Sequence, residues 1–407
     1  MKIKKQIVNI WCVLLCIYLP GYNKIMDFFV NPSIVALFLY VSMLFMFVFL
    51  LLWNKRHINK KVCVFYIIYI LCIFINAFCV SYKFFVFTEG ITSILLSINI
   101  IYVISLTDFN IHLFLYKWRN AAVIATFSLF LLIILFKLKI VSYGIFAWIT
   151  MPNVIILSWE YINRRSNLNS SLLLVSINVV ITLFFGGRMA ALVGLLTIFS
   201  ALVFYKRHTA KEMFLLIFVL STSIIIVLNI KWVILILTNI FSKYGYHSRT
   251  LDLIAQNIAA GGFLENIYMS GREEIYAIVF EWIKERGIYP SGLAVVRYLT
   301  EGEYYIAHNL LLELIVTFGI LGTVFIFIFL LYRLRVLRQY KDKTVIKFAI
   351  FLLSFYFIYS LTVQSIFSSP LAFLLIAVIF FYKPHESSIR GKLFYNSFSE
   401  KNFKCEK

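Results

Sequence analysis

Apolar runs close to twenty residues long recur through this chain, near residues 7–22, 34–53, 62–80, 84–106, 121–138, 143–161, 170–186, 189–205, 213–230, 309–331, 346–364 and 369–382. About twenty apolar residues at helical rise cross the roughly 30 Å hydrocarbon core of a bilayer. In lipid every backbone N–H and C=O must be satisfied inside the structure, and runs of this length do that as helices. The sequence therefore predicts an all-α, polytopic integral membrane protein with about 12 transmembrane helices. With 62% hydrophobic and 14% charged residues it is not an ordinary soluble domain. The opening MKIKKQIVNIWCVLLCIYLPG has the basic lead and apolar stretch of a secretory signal but no small-residue cleavage site, and it reads as a retained first helix.

The formal net charge of +20 raises the question of a polyanionic partner. If the N-terminus lies inside, the segments KIKK, NKRHINKK, YKWRN, NRRSN, KRHTAK and RLRVLRQYKDK and the tail from Lys383 face the cytoplasm and, with Lys347 at the start of the next span, hold 26 of the 38 Lys and Arg residues. That is the positive-inside pattern, with both termini cytoplasmic. The inner face then nets +19 and the outer face +1, so the basicity is topological. It suits an anionic inner leaflet and gives no reason to expect nucleic acid. KLK at 137–139 is the one basic cluster that falls outside. Cys12, Cys16, Cys63, Cys72 and Cys79 lie in apolar runs and Cys405 in the tail, with no CxxC or Cys/His spacing, so they read as small buried hydrophobes.

Four regions follow: transmembrane helices one to nine over 1–230, an extracytoplasmic loop or cap over 231–308, three further helices over 309–382 and a cytoplasmic tail over 383–407. Within the loop, SGREEIYAIVFEWIKERG offers Ser270 as N-cap and Glu273 as its capping-box partner. Apolar positions 275, 278, 279, 282 and 283 and a stop at Gly287 complete an amphipathic helix.

Three segments bring polar groups to the outer face. FFGGRMAALVG places Gly186, Gly187 and Arg188 in a turn: glycines let a ligand approach the backbone, and a guanidinium fork grips phosphate in two places. An interfacial Arg in a tight turn is the alternative. Arg272 opens the amphipathic helix, where free N–H groups and the dipole favour an anion, unless it pairs with Glu273 or Glu274. In AHNLLLELIVTFGILG, His308 and Asn309 stand at the mouth of a span, with Glu313 one turn deeper. Either an imidazole at a wet interface takes a proton from an attacking hydroxyl, or His308 and Asn309 cap the helix and Glu313 pairs with an Arg. Glu89 near the outer end of the fourth span, Arg249 and Arg297 are further polar groups without a motif, and Glu160 with Arg164 reads as a cytoplasmic-interface pair. No Walker loop, HExxH, GxSxG or metal-ligand spacing occurs, so nothing local points to a nucleotide, metal or other cofactor.

The GGR turn at 186–188, SGR at 270–272 with its aromatic helix and YPSGLA at 289–294, and HNLLLELIVTFGILG from His308 together resemble the bacterial O-antigen ligase and Wzy-type polysaccharide polymerase superfamily, over roughly 170–330. The resemblance implies a GT-C-like membrane glycosyltransferase, without cofactor or metal ion, in the bacterial cytoplasmic membrane. It would act on undecaprenyl-diphosphate-linked oligosaccharide at the outer leaflet. Carried over residue by residue, Arg188 and Arg272 would hold the diphosphate, with Arg249 as a third cation. His308 would serve the acceptor hydroxyl as base or positioning group. Beside the resemblance, Glu313 at the same span mouth reads as a second catalytic candidate, and Asn309 and Gly187 as positioning residues. GLAVV after Pro290 departs from the more glycine-rich pattern of the superfamily. The partners implied are the lipid-linked oligosaccharide, membrane lipids and a chain-length regulator protein. Polymerization of repeat units is the leading expectation; ligation of finished chains to lipid A core and transport of lipid-linked oligosaccharide are the alternatives.

Overall fold

The computed structural model describes residues 2–26, 29–138, 144–163, 168–185, 194–197, 236, 238–240, 242–243, 272–304, 306–360 and 367–383. Described residues form helices α1 (Lys2–Asn23), α2 (Pro32–Trp53), α3 (Lys60–Cys79), α4 (Lys83–Ile104), α5 (Ile111–Lys137), α6 (Gly144–Asn163), α7 (Leu168–Phe185), α8 (Arg272–Arg286), α9 (Val295–Leu299), α10 (Leu310–Arg338), α11 (Lys343–Ser360) and α12 (Pro370–Ile376), the last continued by a π-turn over Ala377–Phe381. No strand occurs among the described residues.

Eight of these helices are long and apolar enough to cross a membrane, and Ser170–Phe185 and Pro370–Phe381 are shorter apolar helices. The chain is thus a multi-pass, all-helical membrane protein. Large apolar side chains such as Phe45, Phe78, Phe84 and Leu321 stand exposed, as they do on a surface that meets lipid. The apolar runs at 189–205 (apart from 194–197) and 213–230 lie outside the described residues.

Asparagine starts several helices. Asn31, Asn59, Asn110 and Asn309 each accept a backbone N–H from the first turn they precede, satisfying donors that a helix start leaves over. The Asn110 cap explains one difference from expectation. YKWRN is not a loop but belongs to α5, which starts at Ile111. At 27 residues α5 is about 40 Å long, longer than the hydrocarbon core, so Lys117 and Arg119 can sit at headgroup level. Cysteine is a second difference: Cys12 and Cys16 are buried, but Cys63, Cys72 and Cys79 are exposed along α3, where a weakly polar thiol is tolerated against lipid.

Two compact units can be distinguished. One contains residues 21–30 and 121–271. In it α6 packs on α7, and a buried polar string joins them to α5: Asn178 Nδ2 donates to Thr126 Oγ1 at 2.8 Å and Asn153 Nδ2 to Asn178 Oδ1 at 2.9 Å. Such interhelical bonds satisfy groups that lipid could not. The other unit contains residues 1–20, 31–120 and 272–407, and so unites α2–α4 with α8–α12. Gly90 lets α4 approach α3 closely, since a Cβ there would lie 2.6 Å from Ile73 Cδ1.

Candidate functional site

In the second unit the helix α10 is broken. Gly319, with φ 72 and ψ 169, interrupts the helix ten residues in, and the 19 residues beyond it are about 28 Å long, enough to span the hydrocarbon core. A break strands backbone groups, and at membrane depth they must be satisfied by protein. The segment linking α8 to α9 does this. Ile320 N donates to Gly287 O at 2.7 Å, Ser291 N to Val316 O at 3.1 Å and Gly292 N to Thr317 O at 2.9 Å. YPSGLA is therefore a wedge seated in a split helix.

The wedge is clasped on every side. Tyr82, which precedes α4, donates its hydroxyl to Ser291 O at 2.7 Å, and Trp282 of α8 donates Nε1 to Ser291 Oγ at 2.8 Å. Asn76 of α3 accepts Leu293 N at 3.0 Å. Gly292, with φ 88, lies so close to Asn76 that a Cβ would overlap its amide, which is why glycine stands there. Burial, with Tyr298 and Glu89 nearby, pushes the Tyr82 hydroxyl up to about 12, so it stays a donor.

Beside the wedge stands a polar and aromatic cluster. Tyr82, the N-cap of α4, is followed on that helix by Phe85 and Glu89. Tyr298 stacks on Tyr82 with centroids 4.4 Å apart, and the Arg297 guanidinium lies 4.4 Å from the centre of the Phe85 ring. Glu89 lies within electrostatic reach of Arg297, Tyr69 and Tyr82. A cation over an aromatic face beside a sheltered carboxylate offers donors and acceptors for the hydroxyls of a sugar.

The residues singled out in the sequence fall as follows. Arg272 is the first described residue of α8, and Gly287 ends that helix. Ile275 and Val279 of α8 share one core cluster with Ala307, Leu312 and Val316 around the mouth of α10. Tyr276, on the Arg272 face at i,i+4 spacing, makes a long 3.5 Å hydrogen bond to His308 O. The helix that Arg272 opens and the HNLLLE segment are thereby brought together. Asn309 is the N-cap of α10, its Oδ1 accepting Leu311 N at 3.0 Å and Leu312 N at 3.3 Å. His308 is not that cap: it sits before it at φ 51, half-buried in the left-handed region. Glu313 is buried and lies within electrostatic reach of Tyr356 on α11. Gly187, Arg188 and Arg249 lie outside the described residues, as do Ser270 and Arg164.

Sequence patterns gave no place to Tyr82, Asn76, Ser291 or Gly319. The positional signal available was a glycine inside an apolar run and a PSG turn, each common by itself. Compared with protein-family models, curated proteins and solved structures, the chain matches none.

Proposed function

We propose that this protein is a membrane glycosyltransferase of the outer leaflet that polymerizes oligosaccharide repeat units carried on undecaprenyl diphosphate. The observation that carries the proposal is the convergence of α8 on the mouth of α10, which brings two of the motifs that resemble the O-antigen ligase and Wzy-type superfamily into one place. An acceptor hydroxyl oxygen would attack the anomeric carbon of the growing chain. The bond from that carbon to the diphosphate oxygen breaks, the lipid diphosphate leaves with the electron pair, and His308 takes the hydroxyl proton. Arg272 and Arg188, with Arg249, would neutralise the leaving diphosphate, where a guanidinium makes two-pronged contacts.

A transporter would be expected to hold charge midway along its spans. Among the described residues Glu89, Glu160 and Glu313 lie within two turns of a helix end, which favours chemistry at a membrane face. The test is reconstitution in nanodiscs with undecaprenyl-diphosphate-linked repeat units. Polymerization predicts longer chains from that substrate alone. Product formed only after lipid A core is added would move the assignment to ligation, and movement of substrate across vesicles without any new glycosidic bond would overturn both.

A further inference from the structure

A groove of about 1260 Å³ runs between α3, α10, α11 and α12. It exceeds the roughly 300–1,000 Å³ of sites for drug-sized ligands. Its walls are apolar and aromatic, among them Phe65, Phe325, Phe329 and Phe373. Phe325 and Phe329 are 67% and 45% exposed, so the groove is open to lipid from the side.

Among the described residues, the charged ones that line it are Lys60, Lys61 and Arg333; all are cations, and no described carboxylate joins them. They gather at one end. Lys60 and Lys61 begin α3, and Arg333 lies near the close of α10, donating Nη2 to Ile379 O and Phe380 O at 3.1 Å each. Phe65 meets Phe381 edge-on at 5.2 Å, which ties the start of α3 to the end of α12. This end adjoins the basic segments NKRHINKK and RLRVLRQYKDK, which the charge distribution assigns to the cytoplasm. At the opposite end the lining is Pro290, Gly292, Leu293 and Leu310, without a cation.

We propose that an anionic glycerophospholipid of the cytoplasmic leaflet occupies this groove, with its phosphate between Lys60, Lys61 and Arg333 and its acyl chains along the aromatic walls. Basic pockets between transmembrane helices on the cytoplasmic side suit such headgroups. Two ammonium groups beside the Asn59-capped start of α3 add to the attraction. A zwitterionic headgroup would bring its own ammonium against three cations. The donor of the proposed reaction carries its diphosphate at the outer face, where the groove lining offers nothing to pair with it. The site is therefore separate from the proposed chemistry and stands without it.

The test uses the full chain, purified in detergent and stripped of lipid, with phosphatidylglycerol and phosphatidylcholine of identical chains added back at low ionic strength. Binding and the unfolding midpoint are both followed. At roughly 1 kcal/mol per basic residue near the headgroup, phosphatidylglycerol should bind about a hundredfold tighter and raise the midpoint more. The preference should fall to about fivefold in Lys60→Gln/Lys61→Gln, where Arg333 alone remains. It should survive in Lys55→Gln/Arg56→Gln, whose exposed cations belong to the same loop but do not line the groove. Equal effects of the two lipids, equal loss in both double variants, or displacement of phosphatidylglycerol by undecaprenyl phosphate at equal concentration would each overturn the proposal.

Discussion

Gly319 faces the carbonyl of Ile288 so closely that a Cβ on it would lie 2.5 Å from that oxygen. The contact makes one glycine responsible for both the break in α10 and the seat of the wedge. With φ 72 and ψ 169 it occupies a region open essentially to glycine alone. Gly319→Ala should cost at least the roughly 1–3 kcal/mol of a residue held in sparsely populated φ/ψ, before the collision with a backbone oxygen is counted. Thermal unfolding in detergent checks this. A wild-type midpoint would mean that the wedge does not depend on the close approach.

Tyr82→Phe keeps the ring stacked on Tyr298 but removes the donor to Ser291 O. A net loss of about 0.5–1.5 kcal/mol is expected, with faster hydrogen exchange at Ser291 and Gly292, whose N–H groups reach α10. Exchange unchanged at those two amides would show that the Tyr82 hydroxyl does not hold the wedge.

For His308 the structure sharpens the comparison, because Asn309 already provides the cap. Asparagine tolerates the left-handed region as histidine does, so His308→Asn should insert and accumulate normally. If the imidazole moves a proton, that variant should lose roughly 100- to 10,000-fold in rate and leave single repeat units in place of polymer. Polymer of wild-type length on a gel would remove His308 from the chemistry.

Arg188→Lys offers a point charge in place of a fork. On the proposed function it should shorten the polymer nearly as much as Arg188→Ala, since bidentate phosphate contacts need both guanidinium prongs. Full chain length from the lysine variant would leave Arg188 as a charge at an interface.

His112 Nε2 and Asp342 Oδ2 are 2.8 Å apart, with their side chains 17% and 9% exposed. The hydrogen bond from His112, together with those from Thr344, holds Asp342 well below the usual carboxylate value of 3.8. A depressed folded pKa means that the stabilisation is complete above the unfolded value and is lost as pH falls through the folded one. Wild type should therefore lose midpoint steadily below about pH 4, and Asp342→Asn should start lower at neutral pH and lose less on acidification. Parallel curves for the two proteins would rule the pair out as the source of acid sensitivity.

That the chain is a multi-pass helical membrane protein was legible in its apolar runs, because burial of apolar surface and backbone hydrogen bonding within a span are local. Asn59 and Asn309 cap their helices and Gly287 stops α8, all within a few residues of the groups they satisfy. Only the tertiary structure decided that α10 would split. Gly322, three residues after Gly319, stays within the helix, and Gly90 lies inside an unbroken α4, so a glycine in an apolar run does not announce a break. Gly319 can leave the helix because Gly287, Ser291 and Gly292, about thirty residues earlier, supply the partners its neighbours lose. The same holds for the candidate site. His308, Asn309 and Arg272 were legible as polar groups at helix ends, whereas the clasp of Asn76, Tyr82 and Trp282 joins α3, α4 and α8 through contacts that no local pattern encodes.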